Sequence, residues 1–224
     1  MTGDREPTRA ALAALIDHTL LRPEATSAEV RDAVTVAIRF GCASVCVQPA
    51  MVPVAVESAV GRVPVCAVVG FPHGANLSET KAVEASGVVA QGAREVDMVA
   101  DLSALADSDY SAVSSDVARV RAAVPHVVLK VILESALWNG AQLEAACDAA
   151  LAGGADFVKT STGFHPSGGA STAAVSLMSE RVGGRARVKA SGGIRDLSTA
   201  MEMIDAGASR LGLSATESIL SELD

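Results

Sequence analysis

The feature that most limits the fold of this chain is an alternation of two kinds of segment along its length. Short runs rich in Val, Ile and Leu alternate with longer Ala-rich segments of helical spacing, at intervals of roughly 20 to 30 residues. Runs that are apolar at nearly every position are typical of strands buried on both faces of a parallel sheet. The pattern therefore predicts repeated strand–helix units, with the strands inside and the helices outside.

The alternation contains eight units. The predicted strands are residues 15–19, 44–48, 63–69, 95–100, 127–133, 157–161, 187–190 and 210–213. The predicted helices are 8–15, 27–40, a short one from 49, 78–91, 111–123, 140–151, 171–181, 197–205 and a last one ending near 223. Eight units in this order predict an α/β fold, a closed (β/α)8 TIM barrel with a short leading N-terminal helix.

An open, doubly wound sheet is the alternative topology. It usually carries a glycine-rich dinucleotide-binding turn after its first strand. Here that turn reads Asp-His-Thr-Leu-Leu-Arg-Pro over residues 17–23 and contains no glycine. No linker or shift in composition divides the chain, so residues 1–224 are expected to form a single (β/α)8 barrel domain.

Charge and hydropathy restrict the partners. The net charge of −8 argues against nucleic acid, because phosphate backbones call for basic surfaces. No apolar run approaches the roughly 18 to 20 residues that a membrane-spanning helix needs. Residues 1–9 are charged and lack the apolar stretch of a signal peptide. We therefore expect a cytoplasmic protein with no nucleic-acid or membrane partner.

Neither the cysteines nor the histidines have the spacing of a metal site. We expect free thiols in a reducing compartment and no metal. The residues concerned are Cys42, Cys46, Cys66, Cys147, His18, His73, His126 and His165.

Two lysines lie at the ends of neighbouring predicted strands. Lys159 ends the run Phe-Val-Lys, and Lys189 ends Arg-Val-Lys one unit later. Active sites of such barrels lie at the carboxyl ends of the strands, and alternate residues of a strand share one face. One choice of face in each strand turns Lys159, Lys189, Asp97 and Lys130 inward together. Each alone fits a solvated charge or a structural ion pair, but the four together predict an active site.

The two lysines suggest imine chemistry. Like charges about 6 Å apart repel by roughly 2.8 kcal/mol at an effective dielectric constant of about 20. Such repulsion would lower the pKa of one lysine by about 2, before desolvation adds to it. A neutral lysine forms an imine with an aldehyde or ketone, and the imine accepts electrons from a breaking carbon–carbon bond. Asp97 would then move protons as a general acid or base.

Glycines after the last strands suggest a phosphate site. Gly192 and Gly193 follow the seventh predicted strand, and Gly212 and Ser214 end the eighth. Loops at these places in barrels often offer backbone N–H groups to a phosphate. Gly163, after the sixth strand, would add to them. Ordinary turn chemistry is the alternative explanation of these glycines.

Other charged or nucleophilic residues are given structural interpretations. Lys81 and Glu84, three residues apart, are expected to form a pair on a helix surface. Cys46, after the second strand, is expected to be a buried inert thiol, with a thiol that borders the pocket as the alternative.

The segments around these candidates match a known family over nearly the whole chain, and the sequence resembles the 2-deoxy-D-ribose-5-phosphate aldolases. The matching segments are Leu-Ile-Asp-His-Thr-Leu-Leu at 15–21, Val-Cys-Val at 45–47, Gly-Phe-Pro-His-Gly at 70–74, Glu-Val-Asp-Met-Val at 95–99, Leu-Lys-Val-Ile-Leu-Glu at 129–134, Phe-Val-Lys-Thr-Ser-Thr-Gly-Phe at 157–164, Val-Lys-Ala-Ser-Gly-Gly-Ile-Arg at 188–195 and Ala-Gly-Ala-Ser-Arg-Leu-Gly at 206–212.

The resemblance implies a class I aldolase, without metal or cofactor, that reversibly cleaves deoxyribose 5-phosphate to acetaldehyde and D-glyceraldehyde 3-phosphate. Lys159 would form the Schiff base, Lys189 would perturb Lys159, and Asp97 would relay protons. Lys130 would contact these residues from deeper in the barrel. The expected partners are a small phosphorylated sugar and aldehydes, and we expect a homo-oligomer. The expected substrate and phosphate contacts are Asp17, Thr19, Thr160, Gly163, Gly192, Gly193, Arg195, Gly212 and Ser214.

The sequence departs from the family pattern at Gln48 and Asp101, where many relatives have Asn, and over Leu-Ser-Ala-Thr at 213–216. The last departure bears on phosphate affinity. Two other functions remain open. One is a lysine-dependent barrel aldolase acting on a ketose phosphate or keto acid. The other is a non-catalytic barrel that binds a sugar phosphate, which would have no need of two buried lysines and an acid.

Overall fold

Eight parallel strands close into a barrel within residues 7–223, the part of the chain that the computed structural model describes. Each strand pairs with the next, and the last pairs with the first. The strands are β1 (Ile16–Leu20), β2 (Ser44–Val47), β3 (Val65–Val69), β4 (Glu95–Val99), β5 (Val128–Ile132), β6 (Phe157–Lys159), β7 (Arg187–Ser191) and β8 (Arg210–Leu213). The predicted closed barrel is confirmed, and the open sheet is excluded.

Helices follow the strands around the outside of the barrel, and the predicted short leading helix is present. They are α1 (Arg9–Ala13), α2 (Ser27–Phe40), α3 (Val52–Ala59), α4 (Ser78–Ala90), α5 (Leu102–Ala106), α6 (Tyr110–Ala123), α7 (Gly140–Ala152), α8 (Thr172–Val182), α9 (Leu197–Asp205) and α10 (Thr216–Ser221). Residues 1–6, on which most of the expectation about the amino terminus rests, lie outside the described residues. None of the helices in the described part is long and apolar enough to cross a bilayer.

The alternation of side chains along each strand separates two environments. In β3, Val65, Ala67 and Val69 face the helices and belong to the main hydrophobic core, which fills the shell between strands and helices. Cys66 and Val68 face the barrel interior and belong to a second, smaller cluster. Because both faces are buried, strands of this kind need apolar residues at almost every position. A polar residue at an interior position is therefore an indication of a functional site.

Local sequence signals fix the ends of several helices. Thr26 caps α2 and exchanges hydrogen bonds with Glu29, and Gly41 ends this helix in the left-handed region at φ +71°. Asp101 caps α5, its carboxylate accepting from the N–H groups of Ser103 and Ala104. The departure from the family pattern at Asp101 thus retains a side chain that can start a helix. Helix α5 itself is absent from the sequence-based prediction.

The prediction is wrong at the start of β3, which begins at Val65 and not at Val63, at the end of β6, and at Lys81. Strand β6 ends at Lys159, two residues early, because Thr160 exchanges hydrogen bonds with the backbone of Ser191 through its hydroxyl. Lys81 is fully buried instead of exposed on a helix surface. Its ammonium donates to Asp116 on α6 at 2.7 Å and to the carbonyl of Val99 at 3.0 Å. This buried pair ties α4 and α6 to the end of β4.

Candidate active site

The barrel interior is organised around the carboxylate of Asp97, which three lysines contact. Lys130 donates to Oδ1 at 2.7 Å, and Lys159 and Lys189 both donate to Oδ2 at 2.8 Å. The four residues come from β4, β5, β6 and β7, and each residue is at most 2% exposed. The predicted inward orientation of all four is confirmed by these contacts. An uncompensated charge could not be buried so deeply, so the ion pairs hold the cluster together.

A second carboxylate, Asp17 on β1, lies on the other side of Lys189. Its Oδ2 accepts a short hydrogen bond from the Lys189 ammonium. Its Oδ1 accepts from the hydroxyl of Ser44 at 2.7 Å and from the guanidinium of Arg210 at 2.6 Å. Asp17 is fully buried. Its oxygens are thus engaged by protein groups, and its observed contacts orient Lys189.

Glu95 and Arg210 complete a lower layer that sequence reasoning missed. Glu95 lies 2.6 Å from the Lys130 ammonium and 3.2 Å from Arg210. Both occupy the first positions of their strands and face the interior. The signal was available, because Glu95 shares the face of Asp97, and Arg210 shares the face of Gly212. The lower layer holds Lys130 in place beneath Asp97.

The charges of this network shift the ionisation of its members. Burial opposes the charge on Asp97, but Lys130, Lys159 and Lys189 outweigh it and hold the pKa of its carboxyl well below the usual range. Burial likewise opposes ionisation of Asp17, but Lys189, Lys130 and Arg210 lower its pKa.

Burial and neighbouring charges also compete at the lysines, where the neighbouring carboxylates raise the pKa instead of lowering it. Burial opposes the charge of Lys189, but Asp17 and Asp97 outweigh it and raise the pKa of Lys189 well above an ordinary lysine. Asp97 does the same for the pKa of Lys130. The repulsion expected from the sequence does not dominate at Lys189, because carboxylates lie against its ammonium. Lys189 and Lys130 thus remain cationic at neutral pH.

A cavity of about 370 Å³ opens above this cluster, at the carboxyl ends of β1, β6, β7 and β8. Lys159 is the one lysine among its lining residues. The lining comprises Thr19, Leu20, Leu21, Arg22, Lys159, Thr162, Gly163, Phe164, Ser191, Gly192, Gly193, Ile194, Arg195, Gly212, Leu213 and Ser214. Its position agrees with the rule that barrel enzymes act at the carboxyl ends of their strands.

The cavity brings together most of the substrate contacts expected from the resemblance. Thr19, Gly163, Gly192, Gly193, Arg195, Gly212 and Ser214 all line it. Asp17 and Thr160 do not, since both are fully buried and bonded to protein groups. Asp97, Lys130 and Lys189 lie beneath the cavity, beyond the end of Lys159.

Glycines let the backbone approach closely on the side of β7 and β8. A Cβ on Gly212 would lie 3.0 Å from Cε of Lys189, and one on Gly192 would lie 3.0 Å from Cα of Gly169. Both contacts are tighter than most Cβ atoms make, so a side chain at either position would require its neighbour to shift. Gly193 has φ +86° and open space around its missing Cβ. Its surroundings leave room for a bound group.

A buried carboxylate fixes the loop after β6. Glu134, a non-glycine residue at φ +53°, accepts a 2.6 Å hydrogen bond from the Thr162 hydroxyl and lies 3.3 Å from its N–H. Such a backbone conformation is costly for a residue with a side chain and persists only where its surroundings enforce it. The contact positions Gly163 and Phe164 at the cavity mouth. Sequence analysis gave Thr162 no role.

One group of residues in the described part has ligand atoms close enough for a metal ion. The sulfur atoms of Cys46 and Cys66 and a carboxylate oxygen of Asp97 lie within 4.8 Å of one another. Asp97 is already surrounded by three ammonium groups, however, and these would repel a metal cation. The Cys66 thiol donates to Asp97 Oδ1 at 3.1 Å. The arrangement therefore suits a hydrogen-bonded thiol better than a metal ligand.

Comparison with known proteins gives consistent matches. Residues 11–219 match the model of the DeoC/LacD family aldolases. The chain is 56% identical over 221 residues to the deoxyribose-phosphate aldolase of Mycobacterium avium, covering 97% of this chain and 99% of the relative. It is 54% identical to the enzyme of the same name from Kocuria rhizophila, with 97% and 99% covered.

A solved structure of a relative has the same fold. The tetrameric deoxyribose phosphate aldolase of Aeropyrum pernix is 36% identical to this chain and superimposes with a TM-score of 0.90. The match covers 98% of this chain and 93% of that one.

Proposed function

Because this chain belongs to the DeoC/LacD family of aldolases, we propose that it reversibly cleaves 2-deoxy-D-ribose 5-phosphate to acetaldehyde and D-glyceraldehyde 3-phosphate. The observation that carries the proposal is the position of Lys159. Its ammonium shares Oδ2 of Asp97 with Lys189, yet it alone of the three lysines around Asp97 lines the cavity. The relatives with 54–56% identity are named for this activity.

The charge count of the cluster favours a reactive amine at Lys159. Four cations (Lys130, Lys159, Lys189 and Arg210) meet three carboxylates (Asp17, Glu95 and Asp97). The other cations have at least two carboxylate partners each, whereas Lys159 has Asp97 alone among the described residues.

In the proposed reaction, the neutral amine of Lys159 attacks the aldehyde carbon C1 of the open-chain sugar. Loss of water from the adduct leaves an iminium ion on Lys159. A base removes the proton of the C3 hydroxyl, the C2–C3 bond breaks, and its electron pair moves into the iminium to give an enamine. Glyceraldehyde 3-phosphate leaves. Protonation of C2 and hydrolysis of the imine then release acetaldehyde and regenerate the amine.

Asp97 is the proposed proton relay, and Lys189 is proposed to act on it as a charge. Oδ2 of Asp97 lies 2.8 Å from both lysine nitrogens, so it can exchange a proton with Lys159 while it stays paired with Lys189. The fixed positive charge of Lys189 also stabilises Asp97 in its ionised form. Lys130, held by Glu95, keeps the opposite oxygen of Asp97 occupied and the carboxylate oriented.

The phosphate is proposed to bind at the outer end of the cavity, between the loops after β7 and β8. Gly192, Gly193 and Ser214 offer backbone N–H groups there, and Arg195 adds an exposed positive charge at the rim. Thr19 lies on the β1 side, where it can meet a substrate hydroxyl. Gly163 and Gly212 leave room for the sugar chain between these groups and Lys159.

Reductive trapping tests the proposal. Acetaldehyde and borohydride should add an ethyl group to Lys159 and abolish activity. The chain is well suited to this test, because its four lysines are all buried and peptide mapping has few alternatives: Lys81, Lys130, Lys159 and Lys189. Lys159→Met is the matched control and should take up no label inside the barrel. A label on Lys189 would reverse the assignment of the two lysines.

The same experiment separates the competing functions. An aldolase acting on a ketose phosphate or keto acid would be trapped by the ketone and not by acetaldehyde. A non-catalytic barrel that binds a sugar phosphate would be trapped by neither. Measurable turnover of deoxyribose 5-phosphate without any trapped lysine would exclude the imine mechanism.

Domain organisation, location and assembly belong to the same proposal. We expect the whole chain, residues 1–224, to work as one catalytic domain in the cytoplasm, with buried free cysteines that need no oxidation. The net charge of −8 supports the absence of a nucleic-acid partner. A homo-oligomer is proposed by analogy with the Aeropyrum pernix enzyme, which is a tetramer. Light scattering coupled to size exclusion would measure the state of this chain.

A further inference from the structure

The loop after β8, which carries Ser214, has open space on two sides. The cavity above Lys159 lies on one side. A second cavity, of about 430 Å³, lies on the other side and is lined by residues of β1, α2 and α10. Thr19, Leu20 and Ser214 line both cavities and therefore form the wall between them. Because space adjoins this wall on both sides, side-chain packing alone does little to hold it in place.

A hydrogen bond between His18 and Thr216 ties this loop to β1. Nδ1 of His18 and the hydroxyl oxygen of Thr216 lie 2.8 Å apart, and both residues are buried. The pairing of β1 with β8 ends at His18 and Leu213. Thr216 lies three residues further on, so its bond returns the chain to β1 after Ser214, which is exposed, and Ala215, which is half-buried. These two residues are thus held from both ends.

The surroundings of His18 show how it acts on the loop. Burial lowers the pKa of His18, and the Glu217 carboxylate raises it by less. His18 is therefore neutral at neutral pH and acts through its hydrogen bond instead of a charge. The charged residues that line the second cavity are Glu29, Asp32 and Glu217. Because these carboxylates disfavour a bound phosphate, Ser214 can serve a phosphate only on the side of Lys159.

Resting on the function proposed above, we propose that His18 is a positioning residue for phosphate binding, which through Thr216 holds Ser214 against the cavity above Lys159. The N–H of Ser214 is then aligned for the substrate phosphate before the substrate arrives. A loop that is fixed in advance loses less freedom on binding, so the hydrogen bond contributes to affinity. Thr216 belongs to the segment 213–216 that departs from the family pattern. Its contact with His18 gives this departure a structural role.

The test removes or keeps the hydrogen bond at each partner. Thr216→Val keeps the shape of the side chain but removes the hydroxyl, and Thr216→Ser is the matched control that keeps it. His18→Leu removes the ring nitrogens, and His18→Asn keeps a polar atom near the position of Nδ1. The measured quantity is kcat/KM for deoxyribose 5-phosphate divided by kcat/KM for unphosphorylated deoxyribose. This ratio does not depend on how much of a variant is folded.

We expect the ratio to fall by about tenfold in Thr216→Val and in His18→Leu, through a higher KM for deoxyribose 5-phosphate, as for the loss of one hydrogen bond. Thr216→Ser and His18→Asn should stay near the parent ratio. The double variant His18→Leu with Thr216→Val should lose no more than either single variant, because both changes remove the same bond. An unchanged ratio in Thr216→Val and His18→Leu, or an equal loss for both substrates, would overturn the proposal.

Calorimetric titration with inorganic phosphate separates this proposal from the proposed function. The Kd for phosphate should rise by about tenfold in Thr216→Val and stay at the parent value in Thr216→Ser. Equal Kd values for the parent and Thr216→Val would contradict the role of His18 even in an active enzyme. A parent protein that binds phosphate in this Thr216-dependent way, but does not cleave deoxyribose 5-phosphate, would overturn the proposed function and support the positioning role.

Discussion

Lys159 and Lys189 donate to the same oxygen of Asp97, Oδ2, each at 2.8 Å. Their surroundings differ otherwise. Lys189 has a second carboxylate, Asp17, and no place in the cavity lining, whereas Lys159 lines the cavity and has Asp97 alone among the described carboxylates. Two lysines of similar sequence context thus have different surroundings. The proposed function assigns Lys189 as a permanent charge and Lys159 as the reactive amine.

Removing the charge of Lys189 tests this division. Lys189→Leu should lower kcat/KM by about 10²-fold or more, since Asp97, the proposed proton relay, loses the charge that holds its Oδ2. It should also move the acid limb of the kcat/KM profile to higher pH, because a neighbouring positive charge no longer favours the neutral amine. Lys189→Arg keeps the charge but not the shape. It should retain the pH profile better than the rate.

The measurement is kcat/KM from about pH 5 to about pH 9 for the parent and both variants. Trapping of acetaldehyde should still label Lys159 in each of them. An acid limb that stays at the same pH in Lys189→Leu would show that the charge of Lys189 does not favour the neutral amine of Lys159.

The lowered pKa values of Asp17 and Asp97 predict how stability depends on pH. Unfolded aspartates take up protons at about pH 4, whereas these two stay ionised to lower pH in the folded state. Their stabilising contribution is therefore complete above about pH 4 and is lost as the pH falls from there to the lower folded pKa values. Each should reduce the free energy of unfolding by about 1.4 kcal/mol per pH unit in that range.

Urea unfolding from about pH 7 to about pH 2 measures this loss. Asp17→Asn should be less stable than the parent at neutral pH, because Lys189 and Arg210 lose a partner, but its stability should fall less steeply in acid. Equal acid slopes for parent and variant would show that Asp17 does not contribute to the linkage.

The buried pair of Lys81 and Asp116 makes a separate prediction about stability. Lys81→Met should cost about 3–5 kcal/mol, because it leaves the Asp116 carboxylate buried without a cation. Lys81→Met combined with Asp116→Leu should recover much of that loss. Chemical unfolding of the parent, both single variants and the double variant forms the required cycle. Additive losses in the double variant would mean that the two residues are not coupled.

The strands and the lysine pair were predictable because they depend on local patterns. Apolar runs marked the strands, and alternation along β4, β5, β6 and β7 placed Asp97 and the three lysines on one face. The partners of each charge were not predictable in the same way. Asp17 and Lys189 are far apart in sequence, and only the closure of β8 onto β1 brings them together.

Lys81 is a second residue whose charged partner could not be predicted from the sequence. Its spacing to Glu84 fits a helix-surface pair, but helix periodicity does not reveal which neighbouring helix packs on that face. Its actual partner, Asp116, lies on α6, and Glu84 instead accepts from the N–H of Gly70. The contact of Glu134 with Thr162 likewise depends on two adjacent loops, whose conformations no sequence pattern defined.

The last prediction concerns the phosphate site proposed at Gly193. This residue has φ +86° and open space beyond its missing Cβ, so Gly193→Ala introduces backbone strain and a methyl group at the cavity lining. If a phosphate binds against this backbone, the methyl group should raise KM for deoxyribose 5-phosphate by about tenfold. Unphosphorylated deoxyribose should keep its kcat/KM. Arg195→Ala should raise KM less, because an exposed charge at the rim contributes little.

Gly184 provides the matched control. It has φ +80° and open space like Gly193, but lies in the turn before β7, at the opposite end of the barrel. Gly184→Ala carries similar backbone strain, so it should lower stability to a similar extent without changing either substrate's KM. A Gly193→Ala variant that loses kcat/KM equally for both substrates would indicate loop distortion. The phosphate would then have to bind elsewhere in the cavity, and the loop after β8 around Ser214 would be the remaining candidate.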